Sequence, residues 1–266
     1  MLALPLYDDN PKTRRPTITA GLIAACAIVF LWQLGLDANA SEDATLSYGM
    51  VPAVLFGYAE LPARLQAVPP AATLITSMFL HGGLLHLLGN MLYLWIFGKG
   101  VESALGPMRF LALYVLCGAA AALTQALTDP AAEVPMIGAS GAIAGILGAY
   151  LVLQPRSNVV VLLWIIIFVR LITLPAVIVL GIWFALQLLS ALSMQPGEAG
   201  VAFWAHVGGF LVGMALVLVL RPPGVSILQA RRTAPFAVAQ PRSAGRRFGV
   251  GSVPPAGRRN PPGRWG

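Results

Sequence analysis

Charged residues are scarce in this sequence of 266 residues: they make up 10% of the chain, whereas 58% of it is hydrophobic. Soluble globular proteins carry about 25% charged residues, so the composition argues against a cytosolic enzyme and for a membrane protein. Cysteine is scarcer still, because the chain has only Cys26 and Cys117, and both lie in apolar stretches. This excludes a disulfide framework and a zinc site built on cysteines.

Acidic residues are absent from one end of the chain. Residues 1–220 contain eight Lys and Arg residues and all ten Asp and Glu residues, whereas residues 221–266 contain nine Arg residues and no acid. A basic terminus on an apolar body is more typical of a membrane protein facing anionic lipid than of a nucleic-acid-binding protein. We therefore expect no nucleic-acid partner. Because residues 221–266 are rich in Arg, Pro and Gly, we expect a disordered cytoplasmic tail near anionic headgroups.

Six apolar stretches are long enough, or nearly so, to cross a bilayer as helices of about 20 residues. No Asp, Glu, Lys or Arg lies within them. The sequence therefore predicts an all-α membrane protein, with a bundle of six transmembrane helices over residues 17–220 and a cytoplasmic segment, 1–16, before it. The fourth stretch is short and rich in Gly and Ala, as is typical of a helix buried among others. The stretches are 17–36, 82–98, 110–127, 139–154, 171–192 and 201–220.

The basic residues orient this bundle. With both termini in the cytoplasm, sixteen Lys and Arg residues lie on the cytoplasmic side and only Arg64 lies on the opposite side. This is the positive-inside pattern, so we expect an N-in, C-in topology. We expect a multi-pass protein of the bacterial plasma (inner) membrane.

Two segments allow a second interpretation. Residues 12–40 resemble a signal peptide, because basic residues precede an apolar run and Ala38-Asn39-Ala40 matches a cleavage site. The run is longer than usual, so we favour an uncleaved first helix. Residues 159–169 are apolar but too few to cross as a helix, and we interpret them as an interfacial or re-entrant segment.

The three histidines, His81, His86 and His206, lie in or at the edge of predicted spans. Polar residues at such depth are usually functional, although a histidine can also merely bond neighbouring helices. In the expected topology, helices two, four and six run inward from the outer side. His86 and Asn90 then lie near the start of helix two, Ser140 at the start of helix four, and His206 about 8 Å below the start of helix six. These side chains share one level of the bilayer.

Spacing along the helices favours contact between these groups. His86 and Asn90 are four residues apart and face the same way. Helices four and six carry small residues at intervals of four, which let two helix backbones approach closely and could bring the Ser140 hydroxyl to a His206 nitrogen. The small residues are Gly141 and Gly145 in helix four, and Ala205, Gly209 and Gly213 in helix six.

These residue types are the parts of an acyl-transfer site. Serine becomes a nucleophile when a base takes its proton, and His206 is the base available to Ser140. Because no Asp, Glu or Lys lies in a predicted span, a Ser–His dyad fits better than a triad or a Ser–Lys pair. His86, Asn90 and the backbone N–H groups at the start of helix four are candidate donors to an oxyanion.

The motifs around these residues resemble those of the rhomboid intramembrane serine proteases. The segment HGGLLHLLGN, from His81 to Asn90, is similar to the family's H-x4-H-x3-N motif. GASG at 138–141 is similar to its G-x-S-G, and AHVGG at 205–209, followed by Gly213, to its A-H-x-x-G-x-x-x-G. The resemblance covers roughly residues 72–220.

The resemblance implies an endopeptidase that cleaves membrane-anchored proteins in or near their transmembrane segments, without a metal or organic cofactor. Ser140 is then the nucleophile and His206 the general base and acid, while His86 and Asn90 assist the oxyanion. Supporting roles fall to His81, Gly138, Gly141, Gly209 and Gly213.

The same resemblance leaves one question about the histidine. Some members place an aromatic residue one turn after the serine, stacked on the histidine, whereas this chain has Ala144 there. His206 must therefore be held by other groups. The partners we expect are single-span membrane proteins as substrates and the lipid bilayer.

Two rival functions stay open. A zinc hydrolase could use His81, His86 and His206 as ligands, but the sequence has no H-E-x-x-H motif and no acid in a predicted span to act as base. The polar residues could instead belong to a non-catalytic membrane binder or transporter that contacts a substrate helix.

Overall fold

The computed structural model describes residues 2–9, 15–165, 168–194 and 200–229. Most of these residues are helical, and the helix Leu84–Leu105 contains a π-helical stretch, Leu94–Gly98. Short helical turns lie between residues 49 and 83, at Pro52–Leu55, Ala63–Leu65, Pro70–Ala72, Thr73–Thr76 and Ser77–Phe79. The longer helices are α1 (Thr17–Leu34), α2 (Ala38–Tyr48), α3 (Leu84–Leu105), α4 (Pro107–Thr128), α5 (Ser140–Leu153), α6 (Ala176–Ser193) and α7 (Phe203–Leu220).

Five of these helices, α1, α3, α4, α6 and α7, are long and apolar enough to cross a membrane. They overlap the first, second, third, fifth and sixth predicted spans and make the chain a multi-pass integral membrane protein. Helix α5, the remaining predicted span, has 14 residues and is about 21 Å long. Every residue from 141 to 150 is buried, which matches a short helix surrounded by others. The count of six crossings and the N-in, C-in topology stay predictions.

Helix α3 continues past residue 98, where the predicted span ends, through Lys99 and Glu102. Glu102 is 1% exposed and accepts hydrogen bonds from the backbone N–H groups of Ile18 at 2.9 Å and Thr19 at 2.8 Å. The Thr19 hydroxyl also donates to it, at 2.7 Å. These donors are in the first turn of α1, where N–H groups lack helical partners and the helix dipole favours a negative charge. The carboxylate is therefore satisfied inside the bundle.

The prediction of an all-α fold is wrong in one respect, because the described residues include a three-stranded antiparallel sheet in the order β1-β2-β3. The strands are β1 (Leu2–Asp8), β2 (Asn158–Ile165) and β3 (Phe168–Pro175). Residues 159–169, interpreted as an interfacial or re-entrant segment, belong to the β2–β3 hairpin, apart from 166–167, which lie outside the described residues.

Local sequence explains this hairpin. Residues 158–175 are rich in Val, Ile and Leu, and β-branched residues favour strands. The register runs from Asn158 opposite Pro175 to Ile165 opposite Phe168. Because residues 171–175 pair with β2, the fifth span begins at Ala176, just after a proline, and not at residue 171 as predicted.

Strand β1 and the residues after α7 both attach to the same end of α5. The Tyr150 hydroxyl donates to Asp8 at 2.9 Å, which ties β1 to the bundle. The backbone N–H groups of Leu228 and Gln229 donate to the carbonyls of Val152 and Leu153, both at 3.0 Å. Residues 221–229 thus lie against α5, whereas residues 230–266, the rest of the predicted tail, lie outside the described residues.

Candidate active site

Ser140 and His206, which are 66 positions apart in the sequence, lie in hydrogen-bond contact. Ser140 is the first residue of α5, and His206 lies in the first turn of α7. The Ser140 Oγ atom is 2.8 Å from His206 Nε2. His206 is 8% exposed. The structure therefore brings the predicted nucleophile and the predicted base together in a largely buried position.

Glycines set this distance, because they let α5 and α7 touch through their backbones. A Cβ atom added at Gly209 would overlap the carbonyl oxygen of Gly141, and one added at Gly213 would overlap the carbonyl oxygen of Gly145. An added Cβ at Gly141 would lie 2.6 Å from the Cβ of Ala121 in α4. Small residues at this spacing allow the approach that the sequence predicted.

The imidazole of His206 is held by side chains from α6. Its Nδ1 atom is 2.6 Å from Oε1 of Gln187. One turn earlier on the same helix, the Trp183 ring lies 5.9 Å from the imidazole between centroids, tilted by 37°. The ring of Phe203 approaches edge-on at 6.3 Å. These contacts take the place of the aromatic residue that Ala144 does not supply.

Gln187 and Trp183 are not among the site residues predicted from the sequence. Gln187 is the one carboxamide in the apolar stretch 171–192. Because polar groups at membrane depth usually bond across helices, this position does indicate a contact with another helix. Trp183 had no such signal, since tryptophan is common in apolar helices.

His86 and Asn90 lie beside the backbone that precedes Ser140. Gly138 has φ +120°, and a Cβ added there would lie 2.8 Å from His86 Nε2 and 3.8 Å from Asn90 Nδ2. The Gly82 N–H donates to His86 Nδ1 at 3.4 Å, which leaves the ring proton on Nε2, the nitrogen next to Gly138. Two hydrogen-bond donors thus converge on this short segment.

The amide of Asn90 is poised to donate. Asn90 is 7% exposed, and within the described part of the chain its Nδ2 atom has no hydrogen-bond partner. A buried polar group without a partner is costly and calls for a functional explanation. The N–H of Gly138 itself donates to the Ser77 carbonyl at 2.8 Å, which fixes the loop entering α5.

His81 lies behind His86, before α3 begins. Its ring meets that of His86 edge-on at 5.2 Å, and its Nδ1 atom is 3.2 Å from the Phe79 carbonyl. Burial, and next the neighbouring His86, lower the pKa of His81 to about 4, so the ring is neutral at physiological pH. His81 thus contacts the ring of His86, and its supporting role stays a prediction.

Ser140, His206, His86 and Asn90 all line one cleft of about 870 Å³. Gln187 and Trp183 form part of its wall. Among the residues that the structure describes, no group of three His, Cys, Asp or Glu side chains could hold a metal ion. A serine with an adjacent base and two nearby hydrogen-bond donors, all lining this cleft, can support acyl transfer.

Residues 70–223, which include the serine–histidine pair, match the family model described as a Rhomboid domain. The match covers more than half of the chain, and the chain belongs to the rhomboid family. The resemblance drawn from the motifs is confirmed.

Individual relatives agree with this assignment. RHOMBOID-like protein 5 of Arabidopsis thaliana is 39% identical over 154 residues, which are 56% of this chain and 44% of that protein. Rhomboid protease GluP of Bacillus subtilis (strain 168) is 35% identical over 137 residues, 52% of this chain and 24% of that protein. Putative rhomboid protease YdcA of the same organism is 41% identical over 78 residues, 29% of this chain and 39% of that protein. The matches span less than half the length of these relatives.

Proposed function

We propose that this rhomboid-family protein is an intramembrane serine endopeptidase that cleaves membrane-anchored proteins in or near their transmembrane segments. The observation that carries the proposal is the 2.8 Å separation of Ser140 Oγ and His206 Nε2 inside a cleft of about 870 Å³. The names of relatives such as Rhomboid protease GluP also support it. No metal or organic cofactor takes part.

In the first step, Ser140 Oγ attacks the carbonyl carbon of the scissile peptide bond while His206 Nε2 takes the hydroxyl proton. The tetrahedral intermediate carries a negative charge on the former carbonyl oxygen. The imidazolium of His206 then gives its proton to the leaving nitrogen as the carbon–nitrogen bond breaks. An acyl-enzyme ester on Ser140 and a free amine result.

In the second step, a water molecule attacks the ester, and His206 takes one of its protons. The second tetrahedral intermediate collapses, the bond between carbon and Ser140 Oγ breaks, and the proton returns to the serine. The carboxylic acid product leaves, and the serine–histidine pair is restored. Polar side chains lining the cleft allow water to reach this site within the membrane.

The oxyanion is stabilised by Asn90 Nδ2 and His86 Nε2 in this proposal. Both lie next to Gly138, two residues before the nucleophile, and the Asn90 amide has a donor to offer. Donors already in place at the site of developing charge accelerate acyl transfer strongly. His81 supports His86, and Gly141, Gly209 and Gly213 maintain the contact between α5 and α7.

The same proposal extends to the substrates, the membrane and the topology of the protein. Substrates are single-span membrane proteins, since a cleft within a helical bundle that crosses the bilayer is reached by a transmembrane segment. We propose a bacterial plasma membrane with both termini in the cytoplasm, following the positive-inside pattern. The arginine-rich tail, 221–266, is proposed to contact anionic lipid.

The test is cleavage of a tagged single-span protein in liposomes that contain the full-length chain. We expect wild-type protein to generate two fragments, and Ser140→Ala and His206→Ala to generate neither. A chelator should leave the rate unchanged, whereas inhibition by the chelator would favour the zinc hydrolase. Equal fragment yields from wild type and His206→Ala, or none from either, would favour the non-catalytic binder.

A further inference from the structure

We propose that Gln187 is a positioning residue for the serine–histidine pair, because its side-chain carbonyl holds the proton of His206 on Nδ1 and so directs the Nε2 lone pair at Ser140. This inference rests on the proposed function of that pair. Gln187 Oε1 is 2.6 Å from Nδ1, and the opposite nitrogen of the same ring is 2.8 Å from Ser140 Oγ. Three side chains from α5, α6 and α7 thus form one hydrogen-bonded chain.

The protonation of the imidazole explains why this contact matters. A neutral imidazole carries its single proton on Nδ1 or on Nε2. His206 can accept the serine proton only when Nε2 is unprotonated, so the ring proton must be on Nδ1. A carbonyl oxygen at Nδ1 accepts a hydrogen bond and cannot donate one, which favours that form. In the other form, Nε2–H points at Ser140 Oγ and the serine has no base.

The contact also fixes the plane of the ring. Gln187 and Trp183 are four residues apart, so they lie on the same face of α6. The amide bonds the edge of the imidazole, while the indole of Trp183 lies 5.9 Å from its centre. Together they restrict rotation of a ring that lacks the aromatic neighbour at Ala144. In soluble serine hydrolases a carboxylate orients the histidine, whereas a neutral amide does so with a smaller desolvation cost within the membrane.

Three variants distinguish an effect on the orientation of the His206 imidazole from an effect on side-chain packing in α6. Gln187→Met keeps the length and shape of the side chain and removes the acceptor. Gln187→Glu keeps an acceptor in place of the amide and removes the donor. Leu186→Met is the matched control, because it introduces methionine at the adjacent position, where the leucine is 56% exposed.

The rate of Ser140 labelling by a fluorescent fluorophosphonate, measured on the full-length chain in detergent, reports the competence of the pair. We expect Gln187→Met to slow labelling about tenfold, because the loss of one neutral hydrogen bond corresponds to a factor of that size. Gln187→Glu should stay within about threefold of wild type, and Leu186→Met should match wild type. In cleavage assays, Gln187→Met should lower kcat and leave KM unchanged. Equal rates for Gln187→Met and Leu186→Met, or a slower rate for Gln187→Glu than for Gln187→Met, would overturn the proposal.

The position of the ring proton in the wild-type protein is a second test, and it does not depend on the activity of a variant. The chain has three histidines, so ¹⁵N-histidine labelling gives three imidazoles to resolve by NMR, with His206→Ala to assign the relevant one. We expect protonated Nδ1 and unprotonated Nε2 for His206, and a mixture of both forms in Gln187→Met. A wild-type ring protonated on Nε2 would overturn the positioning role while leaving Ser140 reactivity as a separate result. Wild-type protein that forms no Ser140 adduct would overturn the proposed function and this role together.

Discussion

Gly209 offers a quantitative test of how helix packing sets the serine–histidine distance. A Cβ added at Gly209 would lie 3.1 Å from the carbonyl carbon of Gly141 and nearer still to its oxygen. Ordinary contact requires about 3.5–4.0 Å between carbon atoms, so α5 and α7 must separate by about 1 Å in Gly209→Ala. The same shift would stretch the 2.8 Å separation of Ser140 and His206 beyond hydrogen-bond range.

We expect two consequences of Gly209→Ala. The rate of single-span substrate cleavage in liposomes should fall about 10²-fold, as is typical of a 1 Å misplacement of reacting groups. The free energy of unfolding should fall by about 1–3 kcal/mol through overpacking, which a thermal midpoint in detergent would register. The control is Gly181→Ala in α6, where an added Cβ would meet nothing within 4 Å, and its cleavage rate should match wild type. A Gly209→Ala protein as active as this control would refute the link between glycine packing and catalysis.

Three further changes have defined outcomes. Asn90→Ala removes a proposed oxyanion donor and should lower kcat about 10²–10³-fold with little change in KM, measured by cleavage. Gly138→Ala combines φ +120° with a Cβ 2.8 Å from His86 Nε2, so fluorophosphonate labelling should slow about 10²-fold, and an unchanged rate would contradict this. Glu102→Gln weakens the hydrogen bonds to Thr19 and the start of α1 and should lower the free energy of unfolding by about 1–3 kcal/mol, measured by thermal unfolding. The fluorophosphonate labelling rate of Glu102→Gln should stay near that of wild type.

The contact between Ser140 and His206 could be predicted because short-range rules carry most of it. Apolar stretches define the helices, and glycines four residues apart mark the faces on which α5 and α7 meet. Those two constraints leave few ways to arrange the polar groups. The position of Asn90 beside the same site follows from helical periodicity in the same way.

The contact of Gln187 with His206 and the β2–β3 hairpin could not be predicted by those rules. The face of α6 that meets His206 depends on how α6 packs, and its apolar residues mark no single face because lipid and protein are equally apolar. Residues 159–169 of the hairpin are apolar throughout, so they show neither the alternation of a half-exposed strand nor the length of a span. Glu102 differs again, since its partners include backbone N–H groups of α1, which no side-chain pattern reveals.

The most direct test of the serine–histidine site is the residue that a fluorophosphonate modifies. The full-length chain in liposomes would be treated with the probe, digested and mapped by mass spectrometry. We predict an adduct on Ser140 that disappears in Ser140→Ala and is strongly reduced in His206→Ala. Modification of a different serine with Ser140 unmodified, or labelling that persists unchanged in His206→Ala, would contradict the assignment of these two residues as nucleophile and base.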